Sequence, residues 1–343
     1  TFTFSTWIKK VKNGVQQCFF SAGSGTFSDF EFDSSDRLSG HLANGGTSFQ
    51  STALYRDPSA WYHFVVIMDT TQGTADDRCK VYINGERITA WNTDPASTIS
   101  QNYDWDFNNN VKHAIGYEHT GRRYFAGYLA DTYMVDGTAK AIGDCGTTKN
   151  GVWIPDNPSG FTFGTNGFLI NYASSSDLGN DVSGNNNDFS ASGLSAHDQM
   201  LDTPTFNSSS NGGNFCTLSG IAKQSTVTLS EGNLRSDCSN ASIVANVESS
   251  YGFTSGKIYF EMTNHTGSNA SYPVMTVTDA EAYNFDDTAY YGYGVNRGGD
   301  YIINASNTAN VGSLNCSSTS DIRMFAIDFD NSKLWAGKNG TWY

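Results

Sequence analysis

The sequence predicts an all-β fold, two β-sandwiches in tandem, and three observations carry that expectation. Stretches of alternating apolar and polar residues recur along the whole chain, which is the period of a strand with one buried face. Asn-Gly pairs and similar turn dipeptides separate them, and 35 glycines supply turn conformations. Amphipathic stretches of helical period are nearly absent. A chain of 343 residues, at roughly 100–200 residues per domain, makes two domains.

The strands can be read in order. Phe2, Phe4 and Trp7-Ile8 open the chain. Phe30 and Phe32 point one way, with Glu31 and Asp33 opposite. Phe64 to Met68 is a continuous apolar run, as expected of a strand covered on both faces. Lys80 to Ile88 is a hairpin whose Asn84-Gly85 provides the two positive-φ residues of a type I′ turn. Tyr124 to Ala130 leads into a strand through Val135. Residues 173–187 hold almost nothing to bury and read as a turn-rich loop, and Asp202-Thr203-Pro204-Thr205 as a rigid entry to a second module. Gly256 to Met262, Met324 to Asp330 and Leu334 to Trp342 repeat the alternation. The expected domains are a sandwich over 1–160, a connector over 161–206 and a second, C-terminally incomplete sandwich over 207–343. Thr1 to Trp7 already reads as a strand and Asn339 to Tyr343 stops inside a hairpin, so a fragment of a longer polypeptide is expected.

Composition excludes several functions. Apolar residues at 38% and aromatics at 14% rule out a disordered chain. Charged residues are only 16%, against about 25% in typical domains, so Ser, Thr, Asn and Gly must provide much of the polar surface. A net charge of −14 repels phosphate backbones and anionic lipid, so no nucleic-acid partner is expected. No apolar run approaches the ~20 residues that span a bilayer. A neutral glycan, a protein or a divalent cation is compatible with this charge. The cysteines, Cys18, Cys79, Cys145, Cys216, Cys238 and Cys316, form no CxxC and fall three to each half, which argues against structural zinc and against complete pairing within each half. Free, mostly buried thiols are expected; disulfides are the alternative in a secreted protein.

Three pieces in order give the first half a resemblance to the laminin-G/pentraxin-like, concanavalin A-like jelly roll. They are Phe4-Ser5-Thr6-Trp7-Ile8-Lys9-Lys10, then Trp61-Tyr62-His63-Phe64-Val65-Val66 with Val81-Tyr82-Ile83-Asn84-Gly85, then Phe125-Ala126-Gly127-Tyr128-Leu129-Ala130-Asp131. Ser255-Gly256-Lys257-Ile258-Tyr259-Phe260-Glu261 and Asp321-Ile322 through Asn339-Gly340 resemble a SPRY-like sandwich, with Arg323-Met324 in place of the usual Ile-Gly. The pairing of the two, with Asp181 to Phe189 between them, resembles marine bacteriophage tail-fibre or virion-surface proteins. The resemblance implies a non-enzymatic structural or adhesive protein of a virion surface or the cell exterior. Its partners would be other virion proteins, copies of itself or a host-surface glycan.

Several residues are candidates for chemistry. Glu31-x-Asp33-x-x-Asp36 is similar to the Glu-x-Asp-x-x-Glu strand of laminarinase-type glycoside hydrolases, and alternation puts Glu31 and Asp33 on one face. Retaining glycosidases need such a carboxyl pair about 5–5.5 Å apart. A glycoside hydrolase is therefore the alternative function, beside a secreted cellular adhesin. Laminin-G and pentraxin modules often bind calcium through loop carboxylates, and Asp69, Asp76 and Asp77 flank the central strands as hard oxygen donors. Asn180 through Asp188 has a similar look. The loop from Trp91 to Asn110 carries Trp91, Tyr103, Asp104, Trp105 and Phe107, aromatic faces with polar neighbours of the kind that hold sugars; the alternative, which the scarcity of other apolar residues in the loop favours, is that these rings clamp it to the sandwich. No serine-hydrolase elbow, P-loop or HExxH is present. The histidines His41, His63, His113, His119, His197 and His265 are scattered. Sequons at Asn207, Asn240, Asn264, Asn269, Asn304, Asn315 and Asn339 would mean glycans in a eukaryotic secreted protein and nothing in a phage protein.

Overall fold

Strand β1 (Phe2–Lys10) is buried along its whole length, because both of its faces are covered. Phe2, Phe4 and Ile8 point into the main core, while Ser5, Trp7 and Lys9 face the other way and are buried as well. The computed structural model describes residues 1–24, 27–43, 46–205, 212–239, 247–263, 277–278, 292–295, 300–303, 306–310, 314–316 and 318–343. They fall into two units, Thr1–Gly220 and Ile221–Tyr343. The sequons at Asn207, Asn240, Asn264, Asn269 and Asn304, and His265, lie outside the described residues.

The first unit is two six-stranded antiparallel sheets. Further strands are β2 (Gln17–Gly23), β3 (Phe27–Phe32), β4 (Arg37–Ala43), β5 (Gly46–Leu54), β6 (Trp61–Met68), β7 (Cys79–Ile83), β8 (Glu86–Arg87) and β9 (Trp91–Thr93). They continue with β10 (Lys112–Ile115), β11 (Gly127–Asp136), β12 (Gly146–Lys149), β13 (Val152–Pro155) and β14 (Phe168–Ile170). The first sheet runs β14-β11-β1-β6-β7-β8 and the second β10-β2-β3-β4-β5-β9. The core between them is largely phenylalanine. Phe30 lies 4.6 Å from Phe107, 5.1 Å from Phe64 and 5.5 Å from Phe4 between ring centroids. Phe4 stacks on Phe20 at 4.3 Å. Such pairs contribute about 0.5–1.5 kcal/mol each beyond the area they bury. Opposite Phe49, only a glycine fits: a Cβ on Gly40 would lie 2.3 Å from that ring.

The β7–β8 turn has the expected form, with Asn84 at φ 50° and Gly85 at φ 81°. A second constraint acts there, since a Cβ on Gly85 would meet the Trp153 ring at 2.5 Å. Trp153 belongs to the β12–β13 hairpin. Its indole N–H donates to His63 Nδ1 at 2.8 Å, and the His63 imidazole stacks on Trp7 at 4.4 Å. Elsewhere the outer face of the first sheet carries a second small core of Val65, Ile67, Tyr133, Val135, Cys145, Phe163 and Leu169.

Residues 161–206, expected as a connector, belong in large part to the first unit. Phe168–Ile170 adds strand β14 to the first sheet beside β11. The Asp181 carboxylate accepts backbone N–H groups of Leu169, Ser183 and Asn187, and these donors hold its pKa below the usual range although burial raises it. Asn185 and Asn187 donate to the Gly167 carbonyl. Both Asp181 oxygens are thus engaged in closing the loop. Asp202 is carried back to the first sheet, where it pairs with Lys9 at 2.9 Å.

The second unit contains a four-stranded antiparallel sheet of Lys257–Thr263, Ile322–Asp328, Lys333–Lys338 and Thr341–Trp342. Phe260 and Met262 pack on its small core of Leu314, Phe325 and Ala336. Asn339 and Gly340 repeat the positive-φ turn at 50° and 85°. Cys18, Cys79 and Cys145 are buried free thiols; Cys316 is buried as well, and Cys216 and Cys238 are exposed.

Candidate functional site

The second sheet has an outer face whose polar side chains converge. On β3, Phe30 and Phe32 enter the core, so Asp29 and Glu31 point outward. Register brings their partners: His41 stands opposite Asp29 and Ser39 opposite Glu31 across β4, while Ser21 and Cys18 stand opposite them on β2. Directly paired residues share a face. A bulge in β2 between Cys18 and Phe20 lets both Phe19 and Phe20 join the core.

A tight hairpin after β10 closes over this face. The Glu118 N–H donates to the Arg122 carbonyl and the Phe125 N–H to the Gly116 carbonyl, at 2.9 and 2.8 Å. The Cys18 N–H donates to the Arg123 carbonyl at 2.7 Å. Arg123 itself has φ 52°, a left-handed conformation that non-glycine residues adopt mainly where the surroundings enforce it. One guanidinium nitrogen then reaches both acids, at 3.2 Å from Asp29 Oδ2 and 3.1 Å from Glu31 Oε2. On the other side His41 Nδ1 lies 2.7 Å from Asp29 Oδ1 and 3.6 Å from Glu31 Oε1. Gln16 donates to Glu31 Oε1 at 2.7 Å. Arg122 pairs with Glu118 at 3.2 Å.

The electrostatics follow from burial. Asp29 is 0% and Glu31 1% exposed. Burial and then the Asp29 charge push the Glu31 carboxyl up to about 7, against the Gln16 hydrogen bond and the His41 and Arg123 charges. Burial works to lower His41, but the Asp29 hydrogen bond and the two carboxylate charges outweigh it and the imidazole is raised. The two acids sit beneath the surface. Arg123 and His41 rise from them to partial exposure. Beside Arg123 stands Tyr124, 68% exposed, its ring 5.7 Å from Tyr117 and near parallel at 19°. Tyr117 is tied to the sheet through its carbonyl, which accepts from Ser21 Oγ at 3.0 Å.

The carboxylate pair differs from the one expected from sequence. Glu31 is in it, but its partner is Asp29. Asp33 lies one residue past the end of β3, where its carboxylate accepts the N–H groups of Ser35 and Arg37 and the Gln50 amide. Turn chemistry takes it out of the pleat. Asp36 turns to the sheet rim, where it binds Lys10 at 2.6 Å and Arg56 at 3.1 Å.

The calcium candidates do not converge either. Asp76 pairs with Arg87 at 2.9 Å and Asp77 with Lys80 at 2.8 Å. Asp69 accepts from Gln72, Thr71 and Thr1, which hold it at about 2. Asp69 and Asp77 line one shallow depression of about 280 Å³, but Lys80 lines it too and supplies the positive charge. In the aromatic loop the rings take the second of the two expected places, against the sandwich. Trp105 is 7% exposed and lies in the core cluster, tilted against Tyr103 at 4.6 Å. Trp91 packs edge-on to Phe49 at 6.0 Å. Asp104 is exposed, and its carboxylate accepts the Trp105 N–H. These rings hold the loop on the sandwich, because their faces are worth more buried than in water.

A buried Ser5–His63 contact at 2.8 Å has the look of an activated nucleophile but the wrong proton. The Trp153 N–H occupies Nδ1, so Nε2 carries the hydrogen and donates to Ser5. A base for Ser5 would need Nε2 free of it.

Residues 1–141 match the model of the concanavalin A-like lectin/glucanases superfamily named Laminin_G_3. The first unit is a concanavalin A-like sandwich, and its lectin-type fold fits carbohydrate recognition. No curated protein matches the sequence. Among solved structures, one similar chain is described as a candidate carbohydrate binding protein of Bacteroides ovatus, with 17% identity over 50% of this chain and 48% of that one, at a TM-score of 0.33. The native heptameric SAP-like pentraxin of Limulus polyphemus is 17% identical over 41% of this chain and 65% of its own, at 0.26. Trypanosoma rangeli sialidase in complex with sialic acid is 14% identical over 36% and 18%, at 0.26. The alignments span less than two thirds of each of these proteins.

Proposed function

We propose that the first unit binds carbohydrate on the outer face of its second sheet, where Arg123 and His41 surface beside Tyr124. The observation that carries this reading is a pair of pre-oriented polar groups, one of which, Arg123, is followed in the chain by the exposed ring of Tyr124. Asp29 and Glu31 fix Arg123 and His41 from beneath, so little side-chain freedom remains to be lost on binding. The Tyr124 ring offers a face to the C–H side of a sugar, and the guanidinium and imidazole offer hydrogen bonds to its hydroxyls. The net charge of −14 favours neutral over polyanionic glycans.

Hydrolysis is the second reading, and the paired carboxylates with Glu31 near 7 are what favours it. Binding without cleavage is preferred because Asp29 and Glu31 are buried and both oxygens of each are engaged by neighbours. A glycosidic oxygen would have to displace Arg123 or His41 to reach them. A glycan array followed by calorimetry on the best ligand tests both readings. Tyr124→Ala should weaken that ligand about 5- to 30-fold, the cost of losing one well-packed aromatic contact, and the ligand should be recovered intact. Cleavage that Glu31→Gln abolishes would establish the hydrolase instead, and unchanged affinity in Tyr124→Ala would remove this face from consideration.

A structural and adhesive role at a virion surface or fibre, outside a cell and beside copies of itself or other virion proteins, extends the same reading. So does a SPRY-like second sandwich. Both are supported by sequence resemblance and by the tandem β-units. Imaging of the native assembly decides the matter, and a particle surface lacking this chain would sink it.

A further inference from the structure

The outer face of the second sheet also holds a constellation suited to a metal ion. His41, Asp29 and Glu31 each present one donor atom, all within 4.8 Å of one another. Arg123 takes Oδ2 of Asp29 and Oε2 of Glu31, whereas His41 Nδ1 faces Oδ1 and Oε1. Each carboxylate therefore turns one oxygen to the guanidinium and the other toward the imidazole, and Glu31 Oε1 also accepts from Gln16 at 2.7 Å. An ion held by the imidazole-side oxygens would leave Arg123 in place, orienting the carboxylates from behind as outer partners of metal ligands do.

A separate observation lies on the same face of the sheet. Ser39 stands directly across from Glu31 and two residues before His41, on the same face of β4. It is 1% exposed, and its hydroxyl has no hydrogen-bond partner. A buried hydroxyl left unsatisfied is costly, and native structures rarely keep one without a ligand or ordered water to fill the role. Its place completes a set of one nitrogen and three oxygens.

We propose that His41, Asp29 and Glu31 bind a divalent transition-metal ion of the Zn²⁺ type, with Ser39 as the fourth donor directly or through a water. The nitrogen donor selects against Ca²⁺ and Mg²⁺, which take oxygen ligands, and one imidazole with carboxylates suits zinc. The His41 Nδ1–Glu31 Oε1 spacing of 3.6 Å is near the roughly 3.3–3.5 Å between ligands of a tetrahedral zinc ion. The Asp29 oxygen, at 2.7 Å, has to move outward by under about 1 Å to match.

The site shares His41 with the glycan reading, but the two tests are separate, since metal is measured with no sugar present and either result can fail alone. The experiment is calorimetry of the full chain with ZnCl₂, checked by equilibrium dialysis and metal analysis. One Zn²⁺ per chain is expected, with CaCl₂ failing to compete. His41→Gln should weaken binding by at least about 100-fold and Ser39→Ala by about 10-fold. His197→Ala, which alters an exposed histidine beside Ser195 and Asp198, should change nothing. If Asp29→Asn does not fold, His41→Gln still decides, because His41 lies at the partly exposed rim of the cluster. No saturable binding up to about 1 mM, or binding that survives His41→Gln, overturns the proposal.

Discussion

Replacing Asp202 by Ala should lower the stability of the first unit by about 3–5 kcal/mol, the usual cost of leaving a buried charge without its partner. Lys9 sits in the central strand of the first sheet with its side chain wholly buried. All three of its ammonium hydrogens have acceptors: Asp202 Oδ2 and Asn214 Oδ1 at 2.9 Å, and the Phe215 carbonyl at 2.8 Å. The other Asp202 oxygen accepts the Trp61 indole N–H at 2.9 Å. One carboxylate thus joins β1, β6 and a segment some two hundred positions later in the chain. Asp202→Asn should lose much less, because an amide oxygen still accepts from Lys9. Lys9→Met with Asp202→Leu should come out near neutral, as apolar replacements of buried pairs often do. Urea unfolding of the three variants checks this. An Asp202→Ala loss below about 1 kcal/mol would mean that Lys9 reaches water.

Acid should act on the first unit through His63. Burial alone holds this imidazole at about 3, whereas in the unfolded chain it titrates near 6.5. Its neighbours Ser5, Trp7, Trp153 and Asn84 carry no charge. Protonation would set a second N–H against the Trp153 N–H. Between the two pKa values the unfolded chain holds the proton and the folded chain does not. The contribution is therefore present above about 6.5 and lost as pH falls toward 3, at about 1.4 kcal/mol per unit, or about 2 kcal/mol by pH 5. Glu31, raised to about 7, works in the opposite sense, contributing stability at low pH that is lost as pH rises through 7. The comparison with His63→Gln separates them. The stability gap between wild type and His63→Gln should narrow by about 2 kcal/mol between pH 7 and pH 5. A constant gap would show that His63 is not kept neutral.

What the sequence revealed and what it hid divide along a physical line. Asn84-Gly85 was legible because a type I′ turn needs two positive-φ residues in a row, a strictly local demand. The strands around Phe4 and Phe30 were legible because alternation is local as well. Asp29 was within reach of the same alternation, one step back from Glu31, but the end of β3 is decided by the turn that Asp33 closes. His41 and Arg123 join the cluster only through strand register and a hairpin some ninety residues away, which no spacing records. The surroundings of Trp105 and Lys9 are likewise set by packing that local sequence does not record. A tryptophan between two aspartates suggests a surface ring, yet it lies in the core. Lys9 is buried in its strand, and its acceptors come from residues 202–215.

The proposed carbohydrate site is the outer face of the second sheet and not the aromatic loop. Hydrogen–deuterium exchange with and without saturating glycan tests it most directly. Slower exchange is expected in the peptides covering residues 29–41 and 116–125, with 91–110 unchanged. Protection confined to 91–110, or to the second unit, would contradict it.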